Sequence, residues 1–243
     1  MKILVVTGSR ADFGMLEWPL KLLKEDPYFE VSFLNIWGYS FPKAVESLSC
    51  VMGIPPDIIL LLGDRFEILA AAITAHLHRV PIAHIGGGDV TEGSYDDAMR
   101  DSISRMASIH FVTSTSAMAR LTHLGYRNVH LVGSPGIDYI RHADWKKERP
   151  IPDSYVVVNY QAETIDGTID WESVVKAIDD RRAIYILPNP DRGSEEIRKK
   201  LPPPDHTNWT VYDFLPHGEF LNLIYHCDEF IGNSSSMLYE APE

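Results

Sequence analysis

The chain has 243 residues, 45% of them apolar, and a formal charge of −12. That length admits one large or two modest domains with a sizeable core. The acidic balance excludes a nucleic-acid backbone as main partner, because binding phosphates takes clustered Lys and Arg, but a local phosphate site at a helix N-terminus stays open.

The opening "MKILVVTGSR" has one Lys, a short apolar run and no small-residue cleavage pattern, so it reads as a first strand and not as a signal peptide. Short runs rich in Ile, Leu and Val then alternate with helical patterns. "KILVV" precedes a helix around "MLEWPLKLLKED", "FEVSFLNIW" precedes "KAVESLSCVM", and "DIILLLGD" precedes "FEILAAAITAHLH". "PIAHIGGG" leads into "DDAMRDSISRMA", "IHFVTS" into "SAMARLTHLG", and "NVHLVGSP" closes the set. Nearly continuous apolar runs fit parallel strands buried on both faces, and strand–helix units in series make a doubly wound α/β domain. The charged, two-proline stretch "HADWKKERPIPDSY" reads as a linker between domains at 1–145 and 151–243. The alternation restarts with "YVVVNY", "AIYILPNP", "WTVYDFL" and "EFIGNSS", a short set for a self-sufficient domain. No apolar run approaches the ~18–20 residues of a membrane span. Cys50 and Cys227 form no C-x-x-C and read as buried reduced thiols of a cytoplasmic protein.

Ligands of open α/β sheets bind outside the carboxyl ends of the strands, so polar residues there carry most weight. In "TGSRADFG" a small-residue turn opens a helix and suits an anion. It is not G-x-G-x-x-G, and a tight turn capped by Asp12 explains it equally well. Asp64, directly after "ILLLG", reads first as a helix N-cap, with a proton-transfer role open because of its place. In "HIGGGDVTEGSYDDAMR", glycines 86 to 88 admit backbone conformations closed to other residues. Asp96 and Arg100 stand at the i, i+4 spacing of a helix ion pair. Several acids at one strand edge repel, which raises a carboxyl pKa toward general acid or base work. Three serines, Ser234 to Ser236, offer hydroxyls and N–H groups to a phosphate where one would suffice for a cap. The histidines form no H-x-x-x-H or Cys/His array, so no metal site is expected. His84 reads as a satisfied buried imidazole, and the scattered aromatics read as core.

Together "TGSRADFG", "LLLGDRFEILAAAITA", "PIAHIGGGDVTEGSYDDAMRDSISRMASIHFVTS", "VGSPGID" and "IGNSSSMLYEAP" resemble the UDP-N-acetylglucosamine 2-epimerases. The likeness is to the hydrolysing branch, which makes N-acetylmannosamine-type sugars for sialic and related nonulosonic acids. It is collinear over most of the chain, dense from about 57 to 140 and thinner from 151 to 230. The resemblance implies two Rossmann-like domains facing a cleft that holds the nucleotide sugar, the GT-B architecture, with the second domain shortened here. It implies a cytoplasmic homodimer or higher homo-oligomer, no cofactor and no metal. Its reaction removes the C2 proton, eliminates UDP and rehydrates the glycal. By motif, Asp64, Asp89 and Asp96 would be the acid/base carboxylates, and Arg100 would hold a carboxylate or the diphosphate. Ser234, Ser235 and Ser236 would hold UDP phosphates and Glu240 the ribose hydroxyls, with Arg10 and Asp12 near the nucleotide or the cleft.

Three departures stand out. "NYQAET" has Gln161 where the family has histidine, and an amide hydrogen-bonds but does not titrate near neutral pH. The passage from "NIWGYS" to "PKAVESLS" is shorter than the family's. The chain also stops at "EAPE", where the family continues. These keep two alternatives: a noncatalytic nucleotide-sugar binder, and a glycosyltransferase of the same fold.

Overall fold

Alternating apolar runs and amphipathic helices build two separate parallel sheets in the computed structural model, which describes residues 1–91, 94–162, 169–188, 193–201, 208–234 and 236–241. The chain divides into two compact units, Met1–Pro135 and Gly136–Glu243.

In the first unit the elements run β1 (Lys2–Thr7), α1 (Arg10–Glu25), β2 (Glu30–Asn35), α2 (Phe41–Val51), β3 (Ile58–Leu62), α3 (Phe66–Leu77), β4 (Ile82–Ile85), α4 (Asp96–Met106), β5 (Ile109–Val112), α5 (Thr115–His123) and β6 (Val129–Leu131). The sheet order is β2-β1-β3-β4-β5-β6, parallel throughout. One face packs Leu4, Val6, Ile59 and Leu61 under α2, α3 and Ile103 of α4, while α1 sets Leu16 and Leu20 against Val5, Leu60 and Ile85 on the other. Strands covered on both sides need the uninterrupted apolar runs seen in the sequence. The chain turns back between β1 and β3, so the loops after these two strands flank the crevice where open sheets bind ligands.

The second unit opens with α6 (Pro135–His142), whose Ile140 packs with Trp145 and Leu221. Then come β7 (Val156–Asn159), α7 (Trp171–Ile178), β8 (Ala183–Ile186), α8 (Ser194–Lys200), β9 (Trp209–Tyr212), α9 (His217–His226), β10 (Glu229–Gly232) and α10 (Ser236–Tyr239). The order β10-β7-β8-β9 puts its own turning point between β7 and β10. Trp171, Tyr185 and Tyr160 are buried as expected, whereas Tyr28, Tyr95 and Tyr225 are exposed, so the aromatics are not uniformly core. The cysteines also depart from expectation. Cys50 is exposed and Cys227 half-buried, both free, because α2 turns Ala44 and Leu48 inward and leaves Cys50 outside. Among the described residues no helix is long and apolar enough to cross a membrane.

Candidate active site

The first βα turn is held by its own side chains. Ser9 caps α1 by accepting from Asp12 N at 3.1 Å, and the Asp12 carboxylate accepts from Gly8 N at 3.0 Å and Ser9 N at 2.9 Å. This reciprocal box makes Asp12 a helix-fixing residue, while Arg10 stands exposed in the first turn. Burial pushes the Asp12 carboxyl from 3.8 up to about 6 against the opposing Ser9 hydrogen bond and Arg65 charge.

Asp64 does not cap α3. The N-cap is Arg65, with no side-chain cap bond, and Asp64 is drawn into an ion pair with Arg100 Nη2 across the sheet edge. Arg100, buried in α4, also binds Asp97 through Nη1, the Thr91 hydroxyl at 3.1 Å and the Asp89 carbonyl oxygen at 2.8 Å. The ion pair expected at the i, i+4 spacing is therefore made at i, i+3, with Asp97. Asp96 instead accepts from the Ser94 hydroxyl at 2.6 Å. Burial raises the Asp96 carboxyl above the usual carboxylate range, and the charge of Asp64 adds to this. Ser94, Arg65 and Arg100 oppose it.

The glycine turn brings Asp89 into the same group. Gly88 has φ +86°, and a Cβ there would lie 2.8 Å from the Ala117 carbonyl oxygen, so the loop lies directly on α5. Asp89 then meets the end of β5, where the Thr113 hydroxyl donates to its carboxylate at 2.8 Å. Arg120 Nη1 reaches the Asp89 carbonyl oxygen at 3.4 Å. Beneath the turn His84 is fully buried and satisfied, as expected, with Nδ1 3.0 Å from Ser104 Oγ and Nε2 2.8 Å from the Gly63 carbonyl oxygen. Burial lowers its pKa from 6.5 to about 4, so it stays neutral.

These two shifts have opposite linkage. Between pH 4 and 6 native Asp12 keeps a proton that the unfolded chain has released, so its contribution to stability falls as pH rises. Native His84 lacks a proton that the unfolded chain has taken up, so its contribution falls as pH drops from 6.5 to about 4. Asp12→Asn removes the first slope and leaves the second. Urea unfolding should find the variant more stable by roughly 3 kcal/mol at pH 7, converging on the parent near pH 4. Parallel stability profiles would contradict this.

In the second unit Gln161 sits at the turning point between β7 and β10. Its N–H donates to Asn233 Oδ1 at 2.7 Å, its Nε2 donates to Asn159 Oδ1 at 3.0 Å, and its carbonyl accepts from Asn233 Nδ2 at 2.9 Å. Ser234 Oγ accepts from Ser236 N at 3.4 Å, where α10 starts, and Ser235 lies outside the described residues. Glu240 Oε1 lies 2.5 Å from His217 Nε2, so one of its oxygens is engaged.

The structure thus collects Asp64, Asp89, Asp96 and Arg100 at one strand edge of the first unit. Gln161, Ser234 and Ser236 gather at the corresponding edge of the second. Asp97 and Thr113 were not singled out in the sequence. Asp97 stood beside Asp96 without a distinguishing spacing, and the place of Thr113 at a strand's carboxyl end was the available signal.

Residues 40–243 match the family model described as UDP-N-acetylglucosamine 2-epimerase. The chain belongs to this family. A UDP-N-acetylglucosamine 2-epimerase of Neisseria meningitidis is 27% identical over 290 residues, covering 99% of this chain and 77% of that protein. The UDP-N,N'-diacetylbacillosamine 2-epimerase (hydrolyzing) of Legionella pneumophila is 26% identical, covering 99% and 78%. A match of 290 residues to a 243-residue chain means that the Neisseria protein carries internal segments this family member lacks. A Neisseria meningitidis UDP-GlcNAc 2-epimerase crystallised with UDP-GlcNAc superposes with TM-score 0.77 at 15% identity, covering 100% of this chain and 80% of that one. The two-sheet α/β fold of this epimerase-family chain is therefore that of the family's solved structures.

Proposed function

We propose that this protein is a hydrolysing 2-epimerase. It converts a UDP-N-acetylglucosamine-type sugar to the free N-acetylmannosamine-type sugar and UDP. The observation that carries the reading is the division of labour among the acids. Arg100 ties Asp64 and Asp97 in ion pairs, which leaves Asp89 and Asp96 to exchange protons.

The chemistry follows from the substrate. Departure of UDP from C1 develops positive charge on the ring, which makes the C2 proton removable by a carboxylate. Asp89 takes that proton as the C1–O bond breaks and the C1–C2 double bond forms. Asp96, whose burial favours the protonated form, delivers a proton to the opposite face of C2, water adds its hydroxyl to C1, and the proton that the water gives up returns to the Asp96 carboxylate. A carboxyl whose burial favours the protonated form suits the donor role. Arg100 fixes the Asp64 carboxylate by an ion pair next to the developing ring charge. The Ser234 and Ser236 hydroxyls and N–H groups take the diphosphate, Ser235 adds a third hydroxyl, and the second carboxylate oxygen of Glu240 takes a ribose hydroxyl. Arg10 supplies positive charge to the nucleotide.

Incubation with UDP-N-acetylglucosamine or its diacetylbacillosamine analogue, followed by NMR, tests this. The expected products are UDP and a free sugar with inverted C2. Release of the epimerised sugar still bound to UDP would reject the hydrolysing branch. Consumption only with an added acceptor would indicate a glycosyltransferase. A second reading, a noncatalytic nucleotide-sugar binder, is favoured by the commitment of the Gln161 amide to Asn159. It predicts UDP binding by calorimetry with no UDP release from the sugar nucleotide.

A further inference from the structure

The carboxylates of this site are not held alike. Asp64 and Asp97 are fastened by the Arg100 guanidinium. Asp89 is fixed differently: Arg100 and Arg120 reach only its backbone carbonyl, at 2.8 Å and 3.4 Å. Its carboxylate is met by hydroxyls, with Thr113 Oγ1 2.8 Å from Oδ2 and 3.1 Å from Oδ1, and Ser114 Oγ 3.5 Å from Oδ1. Ser114 is already engaged, since its oxygen accepts from Ala117 N at 3.2 Å as the cap of α5 and lies 3.0 Å from Ser116 Oγ.

We propose that Thr113 is a positioning residue that sets the direction of the Asp89 carboxylate for proton transfer in the reaction proposed above, on which this inference rests. Two physical arguments support it. An arginine partner would hold Asp89 as an anion, whereas a hydroxyl donates to a carboxylate and accepts from a carboxylic acid. Among the described residues no cation pairs with the Asp89 carboxylate, and its contact with the Thr113 hydroxyl can form with either a carboxylate or a carboxylic acid. In addition, the branched Thr side chain is stiff at χ1, and Thr113 follows directly on Val112, the last residue of β5, so its backbone is anchored at the sheet's carboxyl edge.

Thr113→Val keeps the branched shape and removes the hydroxyl, while Thr113→Ser returns the hydroxyl without the branch. The valine variant should lose roughly 10- to 100-fold in kcat, with KM and UDP affinity within about 3-fold of the parent and the thermal midpoint nearly unchanged. The serine variant should recover most of the rate. An unchanged kcat, a parallel loss of rate and UDP affinity, or failure of serine to restore the rate would overturn the inference. Crystal structures separate it from the reaction reading. Asp89 in the same rotamer in parent and valine variant overturns the inference whether or not the parent turns over. A parent that releases no UDP overturns the reaction, and with it the catalytic use of the Thr113 contact.

Discussion

Asp96→Asn should lower kcat roughly 10²- to 10⁴-fold, the range of a positioned proton donor, while leaving UDP affinity close to that of the parent. The asparagine oxygen can still accept from Ser94, so the start of α4 keeps its local hydrogen bond. What disappears is the exchangeable proton that burial favours on Asp96. UDP release measured alongside calorimetry of UDP binding checks both halves. Equal losses of rate and affinity would move Asp96 from the sugar to the nucleotide. The sign of the pH effect is also fixed. A general acid works while protonated, so turnover should decline as pH rises through the raised Asp96 titration.

Arg100→Met should affect the molecule more broadly. Arg100 is buried and binds Asp64, Asp97, the Thr91 hydroxyl and the Asp89 carbonyl oxygen. Its loss leaves the Asp64 and Asp97 carboxylates without this guanidinium and frees the loop that carries Asp89. Removing one member of a buried ion pair costs about 3–5 kcal/mol. The lower end suits this site, because Asp64 and Asp97 keep part of their solvent contact. Arg100→Lys keeps the charge but lacks the planar fork that serves two carboxylates at once. It should restore most of the stability and little of the rate. Denaturant unfolding together with UDP release separates the two effects. Full activity in the lysine variant would mean that charge alone, and not the two-pronged geometry, is needed.

The sheet architecture was legible because buried parallel strands demand uninterrupted Ile, Leu and Val. "DIILLLGD" and "YVVVNY" have no other good use in a globular chain. The buried role of His84 was equally readable from its place at the apolar end of a strand. The partners of the acids were not. The i, i+4 spacing of Asp96 and Arg100 is a local signal, but Asp64 approaches Arg100 from the end of β3, and only the fold brings them together. Once Arg100 turns toward β3, Asp97 lies nearer to it than Asp96. The same long-range pull takes Asp64 away from the helix cap that its position after a strand suggested. The role of Asp12 was half visible: a cap was foreseen, but the Ser9 partner that makes it reciprocal was not. Thr113 shows the limit most plainly, since one hydroxyl at a strand end resembles many others until the glycine turn lays Asp89 beside it.

The central claim is that carboxylates of the first unit exchange the C2 proton while UDP is eliminated. Running the reaction in D₂O with ¹⁸O-labelled water tests it most directly. The account predicts free UDP and an N-acetylmannosamine-type sugar carrying deuterium at C2 and ¹⁸O at C1. A product that keeps its original C2 hydrogen, or one still joined to UDP, would contradict it.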